Sequence, residues 1–262
     1  MRFKNKNEVD EPEFQDIMTT EIKYFEDFEK EEDAKKFCED SEITYLPSKI
    51  NNLTVYEYIS GHFKRNGIEN NQKIKAKKKI FDKDVLKLFN KSRVLFLISN
   101  DKLKGIVHYS DYNREPVYIY LYSQILNFEK SLRKLLLKND LKNGDMIKYF
   151  EEKSKNGDSE TQEHFKGKLD EITRNQDSLK SFSEFQLFYL LDLIFLLGHH
   201  RIATIDQGVN NLRSYVMHNK DFIEHKDFEE MPSLYRFSTF EEMFNLVLTL
   251  YEEKGKVDEL NA

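Results

Sequence analysis

Arg213 and His218 lie five residues apart in the run Asn210-Asn211-Leu212-Arg213-Ser214-Tyr215-Val216-Met217-His218-Asn219-Lys220, and such a pair could work on a phosphodiester. An imidazole that titrates near neutral pH can take a proton from a ribose 2′-hydroxyl or return one to a leaving oxygen. A guanidinium can bind the charge that develops on phosphorane oxygens. In RNA the attacking oxygen belongs to the substrate, so this first step needs neither a metal nor an added water. Five helical residues turn through about 140°, so the two side chains do not stack on each other. They can flank a groove, and a two-fold dimer would set a second pair opposite the first. Glu129, far upstream, is the carboxylate placed to hold Arg213 in position. His199 and His200 are a second candidate pair, but adjacent histidines point to different sides and no carboxylate is spaced to join them, which favours a helix-terminal role over a metal site.

Helices must position these groups. After Pro116 the apolar residues Leu121, Ile125, Phe128, Leu132 and Leu135 fall on one helical stripe, with Glu129 and Arg133 beside it. A polar loop is expected around residues 153–160, followed by helices over 161–174, 181–199, 206–220 and 238–254. The run 185–197 is broken only by Gln186 and Asp192, and it is shorter than the ~20 residues that span a bilayer. It reads as a buried central helix. Four or five antiparallel helices with short connections make a bundle.

Upstream of about Asn113 the pattern differs. Ile43-Thr44-Tyr45-Leu46, Leu53-Thr54-Val55-Tyr56, Val94-Leu95-Phe96-Leu97-Ile98 and Gly105-Ile106-Val107-His108-Tyr109 are short β-branched or aromatic runs that read as strands. Ser99-Asn100-Asp101-Lys102 joins the last two as a hairpin. Amphipathic segments at 32–38 and 84–90 precede each strand pair, so the order helix–strand–strand occurs twice: an internal repeat. Between the copies, Lys64-Arg65, Lys73, Lys75, Lys77, Lys78 and Lys79 form a basic run that is either a solvated linker or strand edge, or a local patch for phosphates.

Two resemblances attach to these patterns. Phe14-Gln15-Asp16-Ile17-Met18-Thr19-Thr20 looks like the opening of a CBS (cystathionine-β-synthase-type) motif, Leu46-Pro47 matches the pair that follows its helix, and Asp101-Lys102-Leu103-Lys104-Gly105-Ile106-Val107-His108-Tyr109-Ser110-Asp111 resembles its closing strand. The similarity covers residues 13–113 and is fuller in the second copy; in the first, degenerate copy the glycine position is Val55 and the acidic position falls near Gly61. CBS motifs pair around a cleft that can hold an adenosine-type ligand. The resemblance implies that Asp111 would accept both hydroxyls of a ribose cis-diol, with His108 at the usual Ser/Thr position and Gly105 on the closing strand. A pair that has lost its ligand and serves as a dimerisation platform is the other reading. The segment Leu212-Arg213-Ser214-Tyr215-Val216-Met217-His218-Asn219-Lys220 resembles the Arg-x4-6-His signature of HEPN domains, helical bundles that commonly act as metal-independent ribonucleases. It implies catalytic roles for Arg213 and His218. Ser214 stands where Asn, Asp or His commonly follows the arginine and assists the site.

The expected fold class is therefore α/β plus all-α: a tandem CBS-like pair over 13–113, then a HEPN-like helical bundle over 114–258. Of the 262 residues 39% are hydrophobic and 34% charged, and 9 Gly and 4 Pro exclude a loop-rich or disordered chain. The net charge of -6 gives no global attraction to nucleic acid, so an RNA contact must be local. The lone Cys38 offers neither a disulfide nor a CxxC metal pattern, and no apolar leader follows Met1, which together suggest a reducing, cytoplasmic setting without membrane insertion. Two functions follow as expectations. One is a homodimeric ribonuclease acting on RNA without a catalytic cofactor, a toxin or defence effector regulated by an adenine nucleotide. The other is a non-catalytic regulatory or scaffold protein that senses a nucleotide or binds RNA.

Overall fold

The computed structural model of the chain describes residues 9–41, 43–51, 53–156, 158–175, 182–218, 220–223 and 237–262, and it is a mixed α and β protein. The chain divides into two units. The first takes Met1–Tyr122 and Tyr215–Asn245, the second Ser123–Ser214 and Leu246–Ala262.

The first unit carries both sheets. Helices α1 (Phe14–Ile17) and α2 (Glu31–Asp40) come first, and α2 opens with Glu31, Glu32 and Asp33, carboxylates that favour a helix N-terminus. Ala34 and Cys38, four residues apart, are its buried face. Strands β1 (Tyr45–Pro47), β2 (Thr54–Ile59) and β3 (His62–Gly67) form one antiparallel sheet in that order. The β2–β3 loop is Ser60-Gly61, both at positive φ, the conformation that a two-residue hairpin matched to strand twist requires. β4 (Lys73–Ile74) leads through α3 (Lys83–Lys91) to β5 (Val94–Ser99) and β6 (Lys102–His108). β4 pairs parallel with β5, and β5 antiparallel with β6. Asp82 caps α3 by accepting from the amide of Asp84, and Val85 and Phe89 bury its inner face. Asn100 and Asp101, at φ 51° and 54°, make the β5–β6 turn. Val55 from one sheet and Phe96 and Leu103 from the other share a single core cluster. Burial and Glu39 push the Cys38 thiol up to about 11, so it packs as a small apolar side chain.

The second unit is helical. It holds most of α4 (Glu115–Lys138), with α5 (Asn143–Asn156), α6 (Ser159–Arg174), α7 (Leu190–His199), the first turns of α8 (Gly208–Met217) and the later turns of α9 (Phe237–Asn261). Ile125, Phe128, Leu132 and Leu135 are buried as the α4 stripe requires. No described helix is long and apolar enough to cross a membrane.

Several boundaries differ from the sequence reading. The basic run contains a strand: Lys64 and Arg65 lie on β3, Lys78 pairs with Asp82 at 3.1 Å, and Lys79 pairs with Glu13 at 3.4 Å. The polar loop at 153–160 is mostly helix, because α5 runs to Asn156 and Asp158 caps α6 by accepting from Thr161. Residue 157 lies outside the described residues, as do 176–181 and 219. The expected helix over 181–199 begins only at Leu190. Before it, Phe185 takes φ 65°, its amide donates to the Asn143 side chain, and its carbonyl accepts from Arg133. Tertiary hydrogen bonds satisfy the backbone there in place of a helical turn.

Gly105 sits where a Cβ would come within 2.4 Å of the Met18 sulfur and 3.0 Å of its Cβ. Overpacking of this kind costs ~1–3 kcal/mol. Gly105→Ala is therefore expected to lower the denaturation midpoint by that amount, and adding Met18→Ala should recover part of the loss. Equal stability of wild type and Gly105→Ala in chemical denaturation would show that the contact yields freely.

Candidate functional site

The second unit gathers charge around Glu129. Its side chain, 8% exposed, accepts from Arg133 Nη2 at 3.0 Å on the next turn of α4 and from Arg213 Nε at 3.2 Å on α8. Arg133 also donates to the carbonyls of Phe185 and Phe188. One buried carboxylate therefore faces two guanidiniums. Arg213 spends only Nε; its two terminal nitrogens make no hydrogen bond among the described residues. These groups line a cleft of about 380 Å³ that also holds Lys168, Tyr189 and Asp192. Lys168 pairs with the buried Asp192, and both Lys168 and Arg213 approach the Tyr189 ring, at 5.7 and 5.5 Å from its centroid. A planar fork held at Nε, with no hydrogen bond at its other two nitrogens among the described residues, suits a phosphate or carboxylate.

The other expected residues of this site stand as follows. Ser214 is half-buried on α8, and His218 is exposed in the turn that follows Met217. Neither makes a side-chain hydrogen bond or ion pair among the described residues, whereas Glu129 and Arg213 are in direct contact. His199 closes α7, with Nε2 3.7 Å from Glu152, and no group of three or more His, Cys, Asp or Glu among the described residues could hold a metal. Lys168, Tyr189 and Asp192 escaped the sequence reading of the site. The signal for them was Asp192 itself, since a charge inside an apolar run persists only when it is paired.

The first unit has its own cleft, of about 610 Å³, whose walls include Thr44, Tyr45, Arg93, Val94, His108 and Asp111. Asp111 caps the short turn after β6: it accepts from the His108 amide at 2.8 Å and pairs with Arg114 at 2.7 Å. Burial pushes its carboxyl up to about 6, with Arg114 pulling the other way, so it is ionised at neutral pH. Burial, then the charge of Arg93, drives His108 down to about 4. The imidazole is thus neutral at pH 7, with Nδ1 2.7 Å from the Ser110 hydroxyl. Asp111 Oδ2 accepts from the His108 amide and Oδ1 from Arg114, and a carboxylate oxygen can accept from more than one donor. Gly105 does not line this cleft; it faces Met18. In the first repeat Val55 is core and Gly61 is a hairpin turn, so no carboxylate occupies the equivalent position there.

The His108 shift makes a pH test. A histidine whose folded pKa is depressed from 6.5 to about 4 contributes stability above the unfolded value, and this is lost as pH falls toward 4. Between pH 7.5 and 5 the wild type should lose about 2 kcal/mol relative to His108→Gln, measured by urea denaturation of both proteins at each pH. Asp111 acts with the opposite sign: its raised pKa contributes stability below 3.8 that is lost as pH rises through 6. A gap between the two proteins that does not change over this pH range would show that His108 titrates as it does in the unfolded chain.

Comparison with family models, with curated proteins and with solved structures gave no match, so the chemistry of the two clefts has to be read from their own residues.

Proposed function

We propose that this chain is a metal-independent ribonuclease of the HEPN type, in which Arg213 and His218 cut RNA and an adenine nucleotide bound at the Asp111 cleft regulates them. The observation that carries the reading is the state of Arg213. Glu129 already has Arg133 as a partner, so Arg213 brings a second guanidinium to one carboxylate, in a cleft whose lining also includes Glu171 and the Lys168–Asp192 pair. Arg213 lines a cleft of about 380 Å³. In this reading its terminal nitrogens grip two oxygens of the scissile phosphate, Glu129 fixes the fork, and Ser214 assists beside it. His218 takes the 2′-hydroxyl proton or protonates the leaving oxygen, and its exposure gives RNA access to the ring. The 2′-oxygen attacks the adjacent phosphorus, the bond to the 5′-oxygen breaks, and a 2′,3′-cyclic phosphate remains. Two copies related by a two-fold axis would present paired sites.

The regulatory half of the proposal is supported by the order β4–α3–β5–β6, with β4 parallel to β5, which is the strand–helix–strand–strand order of a CBS repeat. It is also supported by the ionised Asp111 in the wall of a cleft large enough for a nucleoside. A toxin or defence effector that restrains translation fits an RNA-cutting activity placed under such control.

Purified protein incubated with total RNA in EDTA should cleave it and leave 2′,3′-cyclic phosphate ends. His218→Ala should lose ~10²–10⁴-fold in rate while keeping its melting temperature. Arg213→Lys should also fail, because an ammonium keeps the charge but not the planar fork. Wild-type rates in His218→Ala would end this reading. An adenine nucleotide should raise the melting temperature in a concentration-dependent way, and Asp111→Asn should remove that shift. A nucleotide shift without any RNA cleavage would leave a non-catalytic sensor.

A further inference from the structure

We infer that Tyr189 is a stacking platform for an unpaired base, so that the cleft at Arg213 takes single-stranded RNA; the inference rests on the ribonuclease reading for its substrate class but on different atoms for its evidence. Tyr189 is the residue before α7, and its side chain makes no capping hydrogen bond there. Small polar residues are preferred at that position, so the tyrosine does nothing for the helix that a serine would not do better. Nor does it fill the core: the residue is 54% exposed, among the most exposed large apolar side chains described. Its backbone is nevertheless fixed. The Tyr189 amide donates to Asp192 Oδ2 at 3.1 Å, and the other oxygen of the same buried carboxylate holds Lys168. One side chain thereby holds the Tyr189 backbone and one neighbouring cation, while Glu129 holds the other, Arg213.

The two cations lie 5.7 and 5.5 Å from the ring centroid. Both distances are within cation–π range, and beside these cations the residue keeps 54% of its surface exposed. A half-exposed aromatic ring with an ammonium and a guanidinium beside it can hold one base by stacking and the neighbouring phosphates by charge. A duplex hides the base faces that this ring would meet, which selects for loops and single strands. Gln186 and Asn175 also line the cleft and carry amides, the Gln186 oxygen accepting from the Ser183 amide.

The chain contains no tryptophan, so Tyr189→Trp introduces a single reporter at the platform. In a His218→Ala background, which prevents turnover, a short single-stranded oligoribonucleotide should quench that emission. An abasic ribose-phosphate oligomer of equal length should not, although it still meets the cations. By fluorescence anisotropy, Tyr189→Ala should bind the oligoribonucleotide about 5- to 150-fold more weakly than Tyr189 protein and the abasic oligomer equally well. With His218 restored, Tyr189→Ala should raise KM and leave kcat nearly unchanged. RNA that binds without quenching, and as tightly to Tyr189→Ala, overturns the inference while the ribonuclease reading stands. Quenching in a protein that cleaves nothing sinks that reading and keeps the platform. Failure of the oligoribonucleotide to bind overturns both.

Discussion

A buried carboxylate needs partners for its oxygens, and in the helical unit Glu129 has two guanidiniums from different helices. Around that contact much else is arranged. Arg133 reaches past Glu129 to the carbonyls of Phe185 and Phe188, and so holds the irregular stretch before α7. That stretch delivers Tyr189 and Asp192, and Asp192 in turn holds Lys168 on α6. Breaking a buried pair by removing one partner typically costs ~3–5 kcal/mol, because the remaining charges are left uncompensated. The same electrostatics that tie α4 to α8 thus set the positions of every cation in the cleft. Stability and the proposed anion binding would share one set of atoms here, so changing Glu129 alone would alter both.

Local pattern carried much of the fold. The strands at 45–47, 54–59, 94–99 and 102–108 came from runs of β-branched and aromatic residues, and Asn100-Asp101 supplied the two positive φ values of their turn. β3 was hidden because its sequence, His62-Phe63-Lys64-Arg65-Asn66-Gly67, places only Phe63 and Asn66 at half-buried positions. Its one cue was Ser60-Gly61 between an apolar strand and a polar continuation. The stretch 182–189 was misread for the opposite reason. Its composition favours a buried helix, but hydrogen bonds from Arg133 and to Asn143 satisfy its backbone, and no helical periodicity records contacts of that range.

The site was legible in proportion to how local its contacts are. Glu129 and Arg133 are one helical turn apart, a spacing any sequence shows. The Glu129–Arg213 contact spans 84 residues, and it could be foreseen only as a carboxylate on one expected helix facing an arginine on another. Gly105 illustrates the limit of motif reading: the position suggested a ligand contact, while its missing side chain makes room for Met18.

The division into units has a consequence for how the chain can be made and cut. Each unit is assembled from two stretches of sequence, so neither is complete until the segment containing α9 has been synthesised. Phe240, on α9, packs against Phe89 at 5.2 Å and Tyr112 at 5.0 Å, inside the unit that also holds both sheets. While that aromatic partner is still on the ribosome, Phe89 and Tyr112 lack one of the rings that cover them in the folded chain, although Phe14 and Phe81 already pack against them. A protease nick between Tyr122 and Tyr215 would leave the two stretches of this unit joined only by packing.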